Sequence, residues 1–347
     1  MSTESATLSL LSIVSLISFF VFLLTKNLSK KFLNGSLLDI DFNKPQSFHN
    51  EPIARAGGLA GIISLLFFVI MYYLLFKNIL NDYLFIPLVL FLLGFADDIK
   101  IRINPNTRLV LMLAVLLLSI IFLSVNIDNI DVPILREWMK NRVFETLFIL
   151  LCFLFIINGA NLIDGFNGLL TIHLIIINFL LLMININNQQ TELSLILTAQ
   201  IVILFSFLLF NFPKAQIFLG DSGSYLFGGL ITLNIIETNN LNPDISSFFF
   251  CTLLFYLFFE VFFSFFRKLL QKKSPLIPDK NHLHMLIYSK FTRKNYLTSL
   301  VINSTYLFLI LPGFFFMENP FISRIWFFSL ILFYLIVYYL ISKEVRN

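Results

Sequence analysis

Charge is scarce in this 347-residue chain. Asp, Glu, Lys and Arg make up 13% of it, against 58% hydrophobic residues, and the mean hydropathy is +0.87. A soluble domain carries about a quarter charged residues, so a water-exposed globule is excluded and a membrane protein is expected, with no nucleic-acid partner. Cysteine is rarer still. Cys152 and Cys251 both fall inside apolar runs and read as buried small apolar side chains, which say little about redox compartment. There are four histidines, and no cysteine lies near His282-x-His284, which argues against zinc. The first apolar run has no basic residue before it and no small-residue cleavage site after it, so a retained helix is expected, not a signal peptide. Internal repeats and low-complexity tails are lacking, as is any polar stretch long enough for a soluble domain. Residues 1–347 therefore read as a single transmembrane domain.

What the chain does have is apolar runs of about 20 residues, the length that crosses a hydrocarbon core of about 30 Å. They fall at 8–25, 57–76, 83–96, 109–126, 142–158, 169–186, 193–210, 223–237, 246–266, 298–317 and 321–341. Lipid cannot satisfy an open backbone, so each run should be helical. The expected fold is all-α and polytopic, with about 10–11 transmembrane helices. Two runs, 83–96 and 223–237, are short for a crossing and should extend into their neighbouring polar loops.

The basic residues divide unevenly. One set of alternate loops holds nineteen: Lys26, Lys30, Lys31, Lys44, Arg55, Lys100, Arg102, Arg108, Lys214, eight between Arg267 and Lys294, Lys343 and Arg346. The opposite set holds five: Lys77, Arg136, Lys140, Arg142 and Arg324. By the positive-inside rule the first set is cytoplasmic and the amino terminus outside. The same parity puts five polar segments on the cytoplasmic face: His49–Gly58, Ala96–Arg108, Asn158–Leu169, Asn211–Ser224 and Pro275–Met285. The external loops show no comparable arrangement.

Those segments carry chemistry. Asp97-Asp98 ends an apolar run; adjacent carboxylates repel unless a cation neutralises them, and oxygen ligands suit Mg²⁺ or Mn²⁺. The plainer reading is a solvated helix end. Asn161 and Asp164, three apart, share a helical face, and Asp164 sits almost at membrane depth, where ionisable groups are by default functional. Asp221 lies between Gly220 and Gly223, with Ser222 and Ser224 available to cap the next helix; an N-cap alone would also explain it. Asn211 and Phe218 could offer an amide and a ring to a nucleobase. Lys280, His282 and His284, with Arg55, Arg102 and Arg108, could meet phosphate, although anionic lipid would also account for the cations. His49 is unassigned, and His173 is expected to hydrogen-bond between helices. Carboxylates, amides, glycines and cations at one membrane face suit phosphoryl transfer.

The order and spacing of RAGG, Asp97-Asp98 with Pro105-x-x-Arg108, NxxNxxDGxxGL, NFPxA…FxGDSG and PDxxHxH resemble the polyprenyl-phosphate N-acetylhexosamine-1-phosphate transferases. The resemblance covers nearly the whole chain. It implies that Asp97, Asp98 and Asp164 are catalytic, that Asp221 and Asp98 hold Mg²⁺, and that Asn161 lies in the cleft. Asn211 and Phe218 match positions that hold uridine, while His282 and His284 match a histidine loop near the substrate phosphates. Undecaprenyl phosphate and a UDP-N-acetylhexosamine would react to give a lipid-diphospho-sugar and UMP at a bacterial plasma membrane, initiating a surface polysaccharide. Related enzymes suggest a homodimer. Asn167 stands where a second Asp is frequent; its amide can bond uracil but cannot act as base or metal ligand. Met285 replaces a further His. The histidine loop lacks the form of the muramoyl-pentapeptide branch, which points to the WecA-like branch. The alternatives are that other branch, an inactive assembly partner, and a secondary transporter, which should place its polar residues at mid-membrane and show inverted repeats.

Overall fold

The computed structural model describes residues 3–29, 31, 35–40, 51–101, 103–275, 277 and 279–346. His49, Lys30, Lys44 and Arg102 lie outside the described residues. The chain runs α1 (Thr3–Leu28), β1 (Leu38–Asp39), β2 (Ile53–Arg55), α2 (Gly57–Phe76), α3 (Asn81–Asp98), α4 (Pro105–Phe122), α5 (Pro133–Met139), α6 (Arg142–Ile163) and α7 (Leu169–Asn187). It continues with α8 (Thr191–Asn211), β3 (Ile217–Phe218), α9 (Gly220–Leu241), α10 (Ser247–Leu253), α11 (Phe255–Leu270), α12 (Leu283–Ile287), a π-helical turn (Tyr288–Thr292), α13 (Asn295–Phe315) and α14 (Pro320–Arg346). This is an all-α, multi-pass membrane protein. Among the described residues eight helices are long and apolar enough to cross a bilayer, and the pair α10–α11 would make a ninth.

All the apolar runs are helical, with three differences from expectation. The run 246–266 is not straight: α10 and α11 meet at Leu254 with a bend of 74°. The run 109–126 moves one turn earlier, because Pro105 supplies a first-turn position whose missing N–H costs nothing there. The run 142–158 continues to Ile163 and so takes Asn161 into the helix. The two short runs lengthen at both ends, to 18 residues in α3 and 22 in α9, about 27 and 33 Å at 1.5 Å per residue. Both carry carboxylates near their ends; α9 is buried almost throughout, whereas α3 keeps an exposed apolar face that includes Phe85 and Leu92.

α9 is the axis of the bundle. Nearly every residue from Gly220 to Asn239 is buried, and it packs against α2, α3, α6 and α7. Its mid-membrane polar residue is Asn234, which is fully buried. Asn234 Nδ2 donates to Gln200 Oε1 at 2.7 Å and to Asn178 Oδ1 at 2.9 Å, while Gln200 Nε2 donates back to Asn234 Oδ1 at 3.2 Å. Three helices are thereby joined by amides that lipid could not have satisfied. His173 does what was expected of it: Nδ1 pairs with Asn303 Oδ1 of α13 at 3.2 Å. At one end of the bundle β1 pairs antiparallel with β2, and β2 parallel with β3, a small sheet in order β1-β2-β3 that the hydropathy pattern did not suggest.

Replacing Asn234 with Ala strands both Gln200 and Asn178. A loss of about 1–2 kcal/mol is expected, read as a lower unfolding midpoint of the purified protein in detergent; an unchanged midpoint would mean the amide ladder contributes nothing.

Candidate active site

The polar ends of α3, α4, α6 and α9 meet at the end of the bundle that carries the sheet. β3 leads directly into α9, so Phe218, opposite Arg55 in the sheet, stands just before that helix's first free amides. Gly58 N donates to Leu219 O at 2.8 Å, and a side chain at Gly58 would overlap Ser222 Oγ and the Gly223 amide. The start of α2 therefore approaches the start of α9 backbone to backbone.

Asp98 closes that junction. Its Oδ1 accepts from Asp221 N at 3.0 Å; its Oδ2 accepts from Ser222 N at 2.9 Å and from the Ser222 hydroxyl. A carboxylate at a helix N-terminus meets unpaired amides and the positive end of the helix dipole together. Asp98 is 1% exposed, and both oxygens are committed to the protein. Asp98 thus stands here as the cap of α9, and one expectation is corrected: Ser222 and Ser224 lie inside the helix instead of capping it. Gly220 has φ +78°, and a Cβ there would come within 2.6 Å of Asp98 Oδ2.

Asp97 points elsewhere. Arg108 Nη1 donates to Asp97 Oδ2, and to Asp221 Oδ2 at 3.2 Å. Asn161 Nδ2 donates to Asp221 Oδ1 and to Ser224 Oγ, each at 3.0 Å. One guanidinium from α4 thus ties α3 to α9, and one amide ties α6 to α9. Asp164 follows α6 and makes no hydrogen bond or ion pair among the described residues. Burial, with Asp221 and Asp98 nearby, raises its carboxyl well above the usual range, against the pull of Arg55. The described residues contain no group of three or more His, Cys, Asp or Glu already spaced around a metal. The donor chemistry still fits a hard divalent cation, because Asp97 and Asp221 offer oxygen and converge on a point where Arg108 now supplies positive charge.

Asn211 is 6% exposed, and both ends of its amide are used. Oδ1 accepts from Gly168 N at 2.6 Å and Nδ2 donates to Ile217 O at 3.0 Å. In this arrangement it braces the Asp164–Gly168 turn against β3, where an open amide for a base was expected. Asn167 Nδ2 donates to Pro213 O at 3.0 Å and its N–H to Asn295 Oδ1 at 2.6 Å. Phe218 is half-buried.

The histidines are not open cations. His282 Nδ1 pairs with Glu260 Oε2 at 3.2 Å, and Nε2 lies 3.4 Å from Asp279 Oδ1. Asp279 is in turn held by both terminal nitrogens of Arg267, at 2.7 and 3.1 Å. The His284 ring stacks parallel to His282 at 5.6 Å and meets the edge of Phe166 at 5.5 Å. Burial pushes its imidazole down to about 3, against the opposing attraction of Glu260, so the ring is neutral near pH 7. Lys280 alone of the three is exposed. The residue that sequence reasoning missed is Glu260, whose Oε1 also accepts from Leu283 N at 3.1 Å and Tyr334 Oη at 2.8 Å. Its signal was there: a lone carboxylate inside the run 246–266, in the middle of an apolar span.

The sequence profile described as "Glycosyl transferase family 4" matches residues 80–239, from the start of α3 to the end of α9. A phospho-N-acetylmuramoyl-pentapeptide-transferase of Dictyoglomus turgidum is 30% identical over 239 residues, 66% of this chain and 75% of that protein. The chain belongs to this family. Two further relatives align over more of it. A probable undecaprenyl-phosphate N-acetylglucosaminyl 1-phosphate transferase of Bacillus subtilis is 26% identical over 315 residues, 89% of this chain and 84% of that protein. An undecaprenyl-phosphate alpha-N-acetylglucosaminyl 1-phosphate transferase of Thermotoga maritima is 29% identical over 254 residues, 73% of this chain and 74% of that protein. The stretch that matches the family profile holds Asp97, Asp98, Arg108, Asn161, Asp164 and Asp221 and leaves the histidine loop outside.

The two neighbouring aspartates should part company on substitution. Asp98→Ala uncaps α9 and should lower stability by about 1–2 kcal/mol. Asp97→Asn should leave the unfolding midpoint close to wild type. Equal midpoints for the two variants would contradict the division of roles.

Proposed function

We propose that the chain transfers N-acetylhexosamine 1-phosphate from a UDP-linked donor to undecaprenyl phosphate, releasing UMP. The observation that carries this reading is the convergence of Asp97, Arg108, Asn161 and Asp221 beside the unpartnered Asp164, at one end of a membrane bundle. A transfer between a membrane-held phosphate and a soluble diphosphate needs charge control at the surface, and this end has it. The nineteen-to-five division of basic residues supports a cytoplasmic position for it.

Asp221 and Asp97 would hold a divalent cation, most simply Mg²⁺, which when bound neutralises the diphosphate oxygens. Arg108 orients both carboxylates and can donate to phosphate oxygens from the same position. Asp98 acts one step removed, fixing the start of α9 and with it the direction of Asp221. Asp164, with no hydrogen bond or ion pair among the described residues, is the candidate to take the proton of an incoming phosphate acceptor, a role that the raised carboxyl opposes unless positive charge offsets its burial. Phe218 offers its ring to uracil, and the Asn167 amide is a candidate for the base edge. Asn211 shapes that pocket through Gly168 and Ile217. Lys280 supplies exposed positive charge, and the buried pair His282–Glu260 holds its loop in place.

Among donors we favour UDP-N-acetylglucosamine. The two relatives named for that sugar align over 89% and 73% of this chain, whereas the Dictyoglomus muramoyl-pentapeptide enzyme aligns over 66%. The muramoyl-pentapeptide donor is the second reading, favoured by the slightly higher identity of that relative.

Purified protein given undecaprenyl phosphate, Mg²⁺ and a panel of UDP-sugars should release UMP only when lipid and metal are both present, and fastest with one N-acetylhexosamine. Release with the muramoyl-pentapeptide donor alone would transfer the protein to the other branch. Silence across the panel from folded protein would overturn the reading. Asp221→Asn should cut turnover by about 100-fold or more and raise the Mg²⁺ concentration needed for half-maximal rate. An unchanged metal requirement would remove Asp221 from the metal's ligands.

A further inference from the structure

Tyr225 stands four residues beyond Asp221 in α9, and that spacing puts both side chains on one face of the helix. One turn carries Tyr225 about 6 Å further into the membrane than Asp221. Two neighbouring helices repeat the step. Asn158 lies three residues before Asn161 on α6, and Met112 four residues after Arg108 on α4. Asn158 Nδ2 donates to Leu154 O at 2.7 Å and reaches Met112 Sδ at 4.0 Å. Tyr225, Asn158 and Met112 are therefore one turn beneath Asp221, Asn161 and Arg108.

The residue Tyr225 is packed away, with 1% of its surface exposed. Its hydroxyl is in a different position. It makes no hydrogen bond among the described residues, yet unlike the Tyr83 hydroxyl it is not sealed off. The charged groups within its reach are those of the cluster: Asp221, Arg108, Asp97 and Asp98. The acceptors among them are already engaged. Asp221 accepts from Arg108 and Asn161, Asp97 from Arg108, and Asp98 from two amides and the Ser222 hydroxyl. The phenol keeps one O–H to give, and leaving such a bond unmade in a buried place costs about 1–3 kcal/mol. A cation has better ligands in the carboxylates one turn above. What the hydroxyl lacks is an acceptor oxygen from outside the protein.

We infer that the Tyr225 hydroxyl donates to the phosphate of the membrane-held acceptor. This role rests on the transferase reading above and assigns one residue to one of its two substrates. Depth decides between them. The UDP-linked donor enters from the water side of the carboxylates, whereas a lipid phosphate comes up from the bilayer beneath them. The flank of α4 beside Arg108 is open at that level: Val110 and Leu111 are 62% and 40% exposed. Arg108 and Tyr225 then meet the lipid phosphate together, one with charge and one with a neutral hydrogen bond. Tyr225 thereby positions the acceptor for attack.

Tyr225→Phe keeps the ring and removes only the hydroxyl. In the purified full-length protein it should raise the KM for undecaprenyl phosphate about tenfold, as for one hydrogen bond to a charged group. The KM for the UDP-sugar and the unfolding midpoint should stay at their wild-type values. Isothermal titration with undecaprenyl phosphate alone should show the same weakening, while undecaprenol, which has no phosphate, should bind both proteins equally. An unchanged affinity for the lipid phosphate, a loss confined to the UDP-sugar, or an equal loss for undecaprenol would overturn the assignment. A Phe variant too unstable to assay would also contradict it, by showing that the hydroxyl is bonded within the fold. Wild type that titrates with undecaprenyl phosphate but releases no UMP would sink the transferase reading, and the Tyr225 assignment would still be decided by the two titrations. Wild type that takes up no undecaprenyl phosphate would end both.

Discussion

The first amides of a helix have no partner within it, and at α9 they are met by a carboxylate from another helix. Asp98 is the last residue of α3, and its oxygens accept from Asp221 N and Ser222 N. This contact fixes where α9 begins, which way Asp221 faces, and how closely α2 and α3 can approach. Gly220 lacks a side chain where Asp98 leaves no room for one, and Gly58 where Ser222 and Gly223 leave none. With α9 set, Arg108 and Asn161 each reach Asp221 from a different helix. A site that controls charge on transferring phosphates needs such fixed directions more than it needs many residues.

The rest of the bundle holds that junction steady. α9 is buried almost throughout, and its polar mid-point is satisfied by Gln200 and Asn178. The histidine loop is anchored separately, through Glu260 to His282, Leu283 and Tyr334. Phe166 joins the two regions: it lies in the turn after Asp164, and its ring stands nearly perpendicular to that of His284. α9 is surrounded by protein almost throughout, while α3 packs one face against it and leaves Phe85 and Leu92 exposed.

Much of this was legible in the sequence. The apolar runs gave the helices, and the alternation of loops brought the Asp97, Asp164 and Asp221 segments to one end. The division between Asp97 and Asp98 was not legible. Read as a pair they repel and call for a cation, but successive residues on a helix point about 100° apart, so the two face different partners. Asn211 misled for a related reason: an amide in a polar loop can serve a ligand or its own backbone, and only the positions of Gly168 and Ile217 decide. The bend at Leu254 leaves no mark in hydropathy, because both arms are apolar. Glu260 did leave one, as the single carboxylate in its span.

The account depends on Arg108 linking the carboxylates of α3 and α9 into one unit. A double-mutant cycle on UMP release, with Arg108→Ala, Asp221→Asn and the double variant, tests that directly. Groups that act together lose most of their effect at the first substitution, so the double variant should fall little below the worse single one, a coupling of about 1–3 kcal/mol. Additive losses would mean that Arg108 and Asp221 work independently, and that the observed contact between them does not organise the site.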